Sequence, residues 1–308
     1  MKKHTAIFCL LTLLPLAAAA QTQQPAWCKD LPRPQYKTLH RIALPDAWFE
    51  VYEASHAVFA IYEPHQSEET IGYLIVGENR ALLFDTGMGI GDVKHLVSQL
   101  TKLPVIVLNS HTHGDHVGGN WQFDTIYGMD TAFTRTSAKG SSAQAKQEIQ
   151  PSEICGSLPP GFDPKTYVTR PWKIAKTIHD GEHIDLGGRT IEVIATPGHT
   201  PDAISLYDKA NGLLFTGDTY YPGTIYLFAP ETDLRAYDLS IHRLAALAPQ
   251  IKTVLGAHNF PVEPPSVLHD LLANFEIVRA GKILAAPAGP GKIVYKSGGI
   301  SFLMKAHQ

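Results

Sequence analysis

The sequence predicts an α/β (α+β) fold in which short strands and helices are interspersed along the chain. Three features of the 308-residue chain lead there. Ile71–Val76 and Ala81–Phe84 are apolar, strand-like runs joined by Gly77-Glu78-Asn79, which reads as a hairpin. Further β-branched runs recur along the chain, and several deliver a histidine or an aspartate at their C-terminal ends. Amphipathic stretches at helical spacing, residues 91–100 and Leu234–Leu247, separate them.

Taken from the start, residues 1–20 open with Met1-Lys2-Lys3-His4, continue through an apolar run over 6–16 and close on four alanines. This is the pattern of a secretory signal peptide cut after Ala20, which predicts a periplasmic or secreted protein. The apolar run is too short to span a bilayer, and no small-residue lipobox precedes Cys28, so no membrane anchor is expected. Cys28 and Cys155 are the cysteines left after cleavage. In an oxidising compartment they can form one disulfide, and two separate thiols is an equal alternative. Residues 21–45 are rich in Pro and Gln and read as an extended arm ahead of one large domain over 46–308.

Within that domain, residues 47–61 alternate loosely around Trp48, Val51, Tyr52, Val58 and Phe59. The second hairpin strand runs into Asp85-Thr86-Gly87, a carboxylate at a strand end, where sites on such sheets lie. A turn cap is the plainer role for it. A helix over 91–100 leads to a buried strand over 103–108. Val117-Gly118-Gly119-Asn120 should open a helix, residues 125–127 read as a short strand, and residues 137–149 as a helix. The loop over 151–171 reads as a lid, a substrate wall or a solvated insertion. Strands follow over 176–184, Thr190–Ala195, 204–207, 213–218 and 253–258. Asp233 should cap the helix Leu234–Leu247, whose inner face is expected to carry Leu239, Ile241, Leu244 and Leu247. A last helix over 267–284 and an edge strand over 291–304 complete the reading.

The chemistry concentrates in Asn109-Ser110-His111-Thr112-His113-Gly114-Asp115-His116. His111 and His113, alternate residues on an extended exit from a strand, can point to the same side. The chain then turns at Gly114 and presents Asp115 and His116 in another direction. Two divergent pairs of donors suit two adjacent metal ions better than one. The chain has 15 histidines, so a lone one means little, but four ligand-type residues within six positions do not arise from a merely polar loop. Imidazole and carboxylate without thiolate favour zinc, with iron or manganese able to use the same donors. Later strands deliver His199, Asp218 and His258 in turn.

His111-Thr112-His113-Gly114-Asp115-His116 resembles the H-x-H-x-D-H motif of the metallo-β-lactamase superfamily, and the later His, Asp, His order resembles its whole ligand set. The resemblance spans about residues 71–258 and implies an αββα sandwich of two mixed sheets with helices outside. Carried over, it implies that His111, His113 and His199 hold one zinc and that Asp115, His116 and His258 hold a second. Asp218 would bridge them, and Asp85 would support the ligands. It further implies a hydroxide drawn from water by the metal pair, attacking a carbonyl or phosphoryl centre. Asp115 would orient that hydroxide and pass on its proton. His113 departs from the redox di-iron members, which carry glutamate there. Asp218 departs from the β-lactamase groups, which carry a cysteine or no acidic ligand at that position. The Asp218 pattern looks more like lactonases, thioesterases, phosphodiesterases and ribonuclease Z. Export and mild acidity speak against tRNA processing and a cytosolic glutathione thioesterase, and the runs around His199 and Asp218 resemble lactonase-like members most.

The expected function is therefore hydrolysis of a small ester, lactone or amide in the periplasm. A β-lactamase and a metal- or ligand-binding protein without turnover are the alternatives. The formal charge of −3 argues against a nucleic-acid surface. Tyr220, Tyr221 and Asn259 are candidate substrate contacts, each equally at home as a packing residue.

Overall fold

The computed structural model describes residues 24–306. The signal peptide expected at residues 1–20 lies outside the described residues. The first sheet has eight strands in chain order: His40–Ile42, Glu50–Ser55, Val58–Tyr62, Ile71–Val76, Ala81–Phe84, Val105–Leu108, Ile126–Gly128 and Lys176–Thr177. It is antiparallel as far as Ala81–Phe84 and parallel thereafter. The second sheet runs Thr253–Gly256, Leu213–Gly217, Ile204–Asp208, Thr190–Ala195, His183–Asp185, with only its first pair parallel.

Strand periodicity explains how these sheets stack. In Ala81–Phe84, Leu82 and Phe84 face inward while Leu83 faces outward, because successive side chains alternate across a sheet. Val105–Leu108 does the same, with Ile106 and Leu108 inward and Val107 outward. The inner residues meet Ile191, Val193, Leu206, Phe215 and Leu255 of the second sheet in one core. Phe215 lies edge-on to Tyr73 at 5.2 Å and to Phe84 at 6.2 Å. Burying such a ring stabilises the fold by about 2–3 kcal/mol.

On the outer face of the first sheet, Leu74, Leu83 and Val107 pack with Val93, Leu96 and Val97 of the helix Val93–Leu100. On the outer face of the second, Ile194, Leu214 and Val254 pack with the helices Leu234–Leu247 and Ser266–Arg279. The result is the four-layered αββα sandwich. At the rim away from the ligand-bearing strand ends, the buried Arg189 pairs with Asp208 at 2.6 Å and donates to the carbonyls of His56, Ala57 and Val76.

Several expectations need correction. Residues 137–149 are not one helix but two, Ala132–Ser137 and Ala143–Glu148, broken at Gly140 with φ +80°. Residues 176–184 are likewise divided, Lys176–Thr177 joining the first sheet and His183–Asp185 the second. Leu239 is 65% exposed, and the inner face of Leu234–Leu247 is carried by Tyr237, Ile241, Leu244 and Ala245. The tail forms a hairpin, Lys292–Ser297 with Ile300–Lys305, in a third sheet with Thr224–Leu227 and Ala286–Pro287. The arm is not simply extended: it holds the 3-10 turns Ala26–Asp30 and Pro34–Thr38 and the strand His40–Ile42. Cys28 and Cys155 are disulfide-bonded, with Cα atoms 5.6 Å apart. Among the described residues no helix is long and apolar enough to cross a membrane.

Candidate metal centre

Asp85, His111, His199, Asp218 and His258 each follow the C-terminal end of a strand, and the sandwich brings those ends to one rim. Backbone bonds lock the rim together. Asp85 N donates to Leu108 O at 3.0 Å, Ile204 N to Ser110 O at 2.7 Å, and Ile71 N to Ala257 O at 2.7 Å. The second of these ties the metal loop to the other sheet.

The loop itself differs from the sequence reading. Its helix starts at Gly114, not at Val117, and lasts one turn, Gly114–Val117. Gly118 does not open a helix but lets two backbones meet: its N donates to Gly87 O at 2.9 Å, and a Cβ there would collide with the backbone of Met88. His116 is pinned through its carbonyl, which accepts from Thr86 N at 2.9 Å, Asn109 Nδ2 at 2.7 Å and Thr86 Oγ1 at 3.1 Å.

The outer nitrogens of the histidines reveal what the inner ones must be. His113 Nε2 faces the Glu231 carboxylate at 2.7 Å, and His116 Nδ1 faces the Asp85 carboxylate at 3.0 Å. His199 Nδ1 faces Tyr226 O at 2.8 Å, and His258 Nδ1 faces Glu68 O at 2.6 Å. Every one of these partners is an acceptor, so each outer nitrogen donates. The inner nitrogens of the neutral rings therefore carry lone pairs. Yet His113 Nδ1 lies 3.0 Å from both His111 Nε2 and His199 Nε2. His116 Nε2 lies 3.0 Å from Asp115 Oδ2 and 3.4 Å from Asp218 Oδ1. His258 Nε2 lies 3.0 Å from Asp218 Oδ1 and 3.7 Å from Asp115 Oδ2.

Lone pairs aimed at lone pairs in a buried site need positive charge between them. His116 Nε2 and Asp218 Oδ1 are both buried without a hydrogen-bond partner. The donors sort into three groups compact enough to hold an ion: His111, His113 and His199; Asp115, His116 and His258; and His111, His116 and Asp218. The third group overlaps both others, which places Asp218 between them. This donor set fits two divalent cations.

The electrostatics show the same demand for positive charge beside the carboxylates, met by protons on His116 and His258 wherever no cation is bound. Burial opposes protonation of His116, but the Asp115, Asp85 and Asp218 carboxylates outweigh it and hold its pKa well above the imidazole range. Burial likewise opposes charge on His258, and Asp218 raises it to about 9. Burial works against ionised Asp115, yet His116 and His258 hold it down to about 2. Burial keeps His111 well below the usual range and His199 at about 4.

A cavity of about 600 Å³ opens above the donors, with His113, Asp115, His199 and Asp218 exposed to it. Gln66, Glu68, Glu148 and Glu153 line one side, Tyr226, Phe228, Glu231 and Lys292 the other. Glu153 thus makes the start of the 151–171 loop a wall of this cavity. Its Pro159–Asp163 portion lines a separate, larger cleft of about 820 Å³ that contains none of the donors.

The candidate substrate contacts are placed differently. Tyr220 packs in the core beneath the second sheet, and Tyr221 Oη donates to Thr224 O at 2.7 Å with its ring 4.7 Å from that of His258. Asn259 Nδ2 donates to Pro222 O. None of the three lines the cavity: the turn after Asp218 takes Tyr220 and Tyr221 away from it, and Asn259, just past His258, is held towards Pro222.

Sequence reasoning missed Glu231, which sits in an irregular loop 118 positions from the histidine it orients. The geometry sets an expectation. Glu231→Gln should weaken one of two bound ions by about 10–100-fold, because the His113 tautomer is no longer held by an anion. Competition against a chromophoric chelator measures this, and unchanged affinity for both ions would make the contact incidental.

A family profile described as metallo-beta-lactamase superfamily matches residues 72–258. The acyl-coenzyme A thioesterase MBLAC2 of Gallus gallus is 26% identical over 220 residues, covering 68% of this chain and 78% of that protein. The hydroxyacylglutathione hydrolase of Methylococcus capsulatus is 29% identical over 157 residues, covering 50% of this chain and 48% of that protein. Among solved structures, a metallo-beta-lactamase from Erythrobacter litoralis shares the fold with a TM-score of 0.53 at 17% identity, covering 77% of this chain and 99% of that one.

Proposed function

The chain belongs to the metallo-beta-lactamase superfamily, and from that premise we propose that it is a dinuclear zinc hydrolase of small neutral or cationic esters, lactones or amides, acting in the periplasm. It is a metal-dependent hydrolase acting on a small organic substrate. The finer reading rests chiefly on one observation: inward-facing histidine nitrogens and two carboxylates form the floor of a cavity of about 600 Å³. Residues 46–308 are read as the catalytic domain and 21–45 as its arm.

When bound, two zinc ions supply a nucleophile drawn from water near neutral pH and polarise the group attacked. The chain's residues do the rest. Glu231, Asp85, Tyr226 O and Glu68 O fix the histidine tautomers so that the inner nitrogens are ready to ligate. Asp115 lies at the cavity floor, where its carboxylate could orient the attacking water and relay its proton to the leaving group. Hydrolysis then balances: the acyl carbon gains oxygen, and the leaving atom gains the proton.

The wall narrows the substrate. Glu68, Glu148, Glu153 and Glu231 face the cavity against a single cation, Lys292, which itself lies 3.8 Å from the centre of the Phe228 ring. Burial and the neighbouring Asp115 push Glu68 up to about 7 and Glu148 up to about 8, and Glu148 Oε2 is buried without a partner. Against this wall, away from the metal donors, an anionic substrate group would add to the carboxylates, and a cation or N–H donor would be accepted by them. We infer that a multiply anionic leaving group, such as coenzyme A, is disfavoured against this wall, as is the carboxylate of a β-lactam.

Export is supported by the pattern of residues 1–20, and the Cys28–Cys155 disulfide suits an oxidising compartment. Imidazole and carboxylate donors support zinc, and elemental analysis of the purified protein tests it. The substrate test uses zinc-loaded enzyme and acyl esters whose leaving groups differ only in charge. We expect kcat/KM to fall about tenfold from the neutral to the carboxylate-bearing ester, and the gap to shrink with salt. Turnover of a chromogenic cephalosporin alone would favour the β-lactamase reading. Two tightly held ions with no turnover across lactones, esters, amides and thioesters would favour a binding protein.

A further inference from the structure

We propose that Arg33, contributed by the N-terminal arm, is a positioning residue for His258 and so for one ion of the metal pair. The inference rests on the dinuclear reading above. His258 lies just past the strand Thr253–Gly256, where the sheet ladder no longer holds the chain. Its ring is aimed by Nδ1 donating to Glu68 O at 2.6 Å, and its backbone bridges to Thr70. The residues between and beyond are in unusual conformations. Glu69 has φ +47° and Asn259 has φ +67°, both in the left-handed region that non-glycine residues seldom occupy. The two meet directly, Asn259 N donating to Glu69 O at 3.2 Å. Such backbone persists only where surrounding contacts over-determine it.

Arg33 supplies contacts to both. Its Nε donates to Glu69 Oε2 at 2.8 Å, and its Nη2 donates to Asn259 Oδ1 at 2.7 Å and also contacts Glu69 Oε1. Tyr62 Oη donates to the same carboxylate at 2.5 Å, and Asn259 Nδ2 donates to Pro222 O at 2.8 Å. Glu69 is buried, so the guanidinium is its counter-charge as well as its brace. A planar fork suits this double duty, since one rigid group reaches two acceptors on two segments.

The arm is built to keep Arg33 there. Three residues on, Tyr36 is buried with its ring 4.6 Å from Tyr62, 4.7 Å from Tyr52 and 5.3 Å from Phe260. Five residues earlier, Cys28 is bonded to Cys155. Arg33 is therefore held between two anchors, and the chain from it to the metal is continuous: guanidinium, Glu69 and Asn259, Glu68 O, His258.

The test is zinc titration of the full chain against a chromophoric competitor, comparing wild type with Arg33→Met and Arg33→Lys. Wild type should bind two ions. Arg33→Met should weaken one of them about tenfold or more and leave the other within about twofold, with Arg33→Lys in between because an ammonium makes one of the two contacts at a time. The cobalt-substituted protein adds a second readout, in which the spectrum of one site changes and that of the other does not. If Arg33→Met does not fold, Arg33→Gln retains a donor and the same comparison applies. Two ions bound as in wild type, or both weakened equally, overturns the proposal alone. A wild type that takes up fewer than two ions overturns the dinuclear reading and this proposal with it.

Discussion

Replacing Asp218 by asparagine is expected to lower kcat/KM more than about 1000-fold and to cut bound metal from two ions per chain to one or fewer. Its carboxylate approaches His258 Nε2 at 3.0 Å, His116 Nε2 at 3.4 Å and His199 Nε2 at 3.6 Å, and so reaches donors of both ions. Asparagine keeps the shape and removes the negative charge. Cations held by these donors would then lose the anion that neighbours both donor groups, where charge counts most because the site is buried. A 1000-fold loss corresponds to about 4 kcal/mol of transition-state stabilisation, in keeping with losing one of two metals. Steady-state kinetics with elemental analysis on the same sample decides it. Two retained ions with near wild-type rates would mean that Asp218 does not bridge.

Asp85→Ala is expected to destabilise the fold by about 3 kcal/mol and lower Tm by about 5–10 °C, with weaker metal binding besides. Asp85 is 1% exposed, its Oδ1 accepting from Ser110 N at 2.7 Å and its Oδ2 from His116 Nδ1 at 3.0 Å. Alanine leaves both donors buried without partners, and His116 loses the anion that fixes its tautomer. Asp85→Asn should recover part of the stability, since its carbonyl oxygen can still accept one of the two bonds, but less of the metal affinity. Thermal unfolding of metal-loaded and chelator-treated protein separates the effects. If alanine cost the same as asparagine in both states, Asp85 would be only a turn cap.

Asp85 was only partly legible in the sequence. Its place at a strand end marked it as a candidate, but the bonds to Ser110 N and His116 exist only once Ala81–Phe84 and Val105–Leu108 pair in parallel. Glu231 and Arg33 had no comparable mark. Each acts on a residue more than a hundred positions away, Glu231 on His113 and Arg33 on Asn259, and no local pattern encodes such a meeting. Helix faces failed where spacing was stretched. Tyr237, Ile241 and Leu244 recur every three to four residues, whereas Leu239 lies two after Tyr237 and turns to solvent. Residues 137–149 have helix-forming composition, but Gly140 and the bridge from Ser141 to Thr169 break the run.

The chain alone determined the kinds of donor and their order. Both follow from local rules: a short β-branched run makes a strand, and the residues just past its end are free to carry chemistry. It also determined two-sided sheets, because alternation in Ala81–Phe84 and Val105–Leu108 is apolar on both faces. Only the tertiary structure decided which nitrogen of each histidine points inward, since that depends on the acceptor beyond the ring. The same holds for the charge of the cavity wall, assembled from Glu68, Glu148, Glu231 and Lys292 on segments far apart in the chain. Hydrogen-bond direction and electrostatic environment are properties of position in space, and spacing along the backbone carries no record of either.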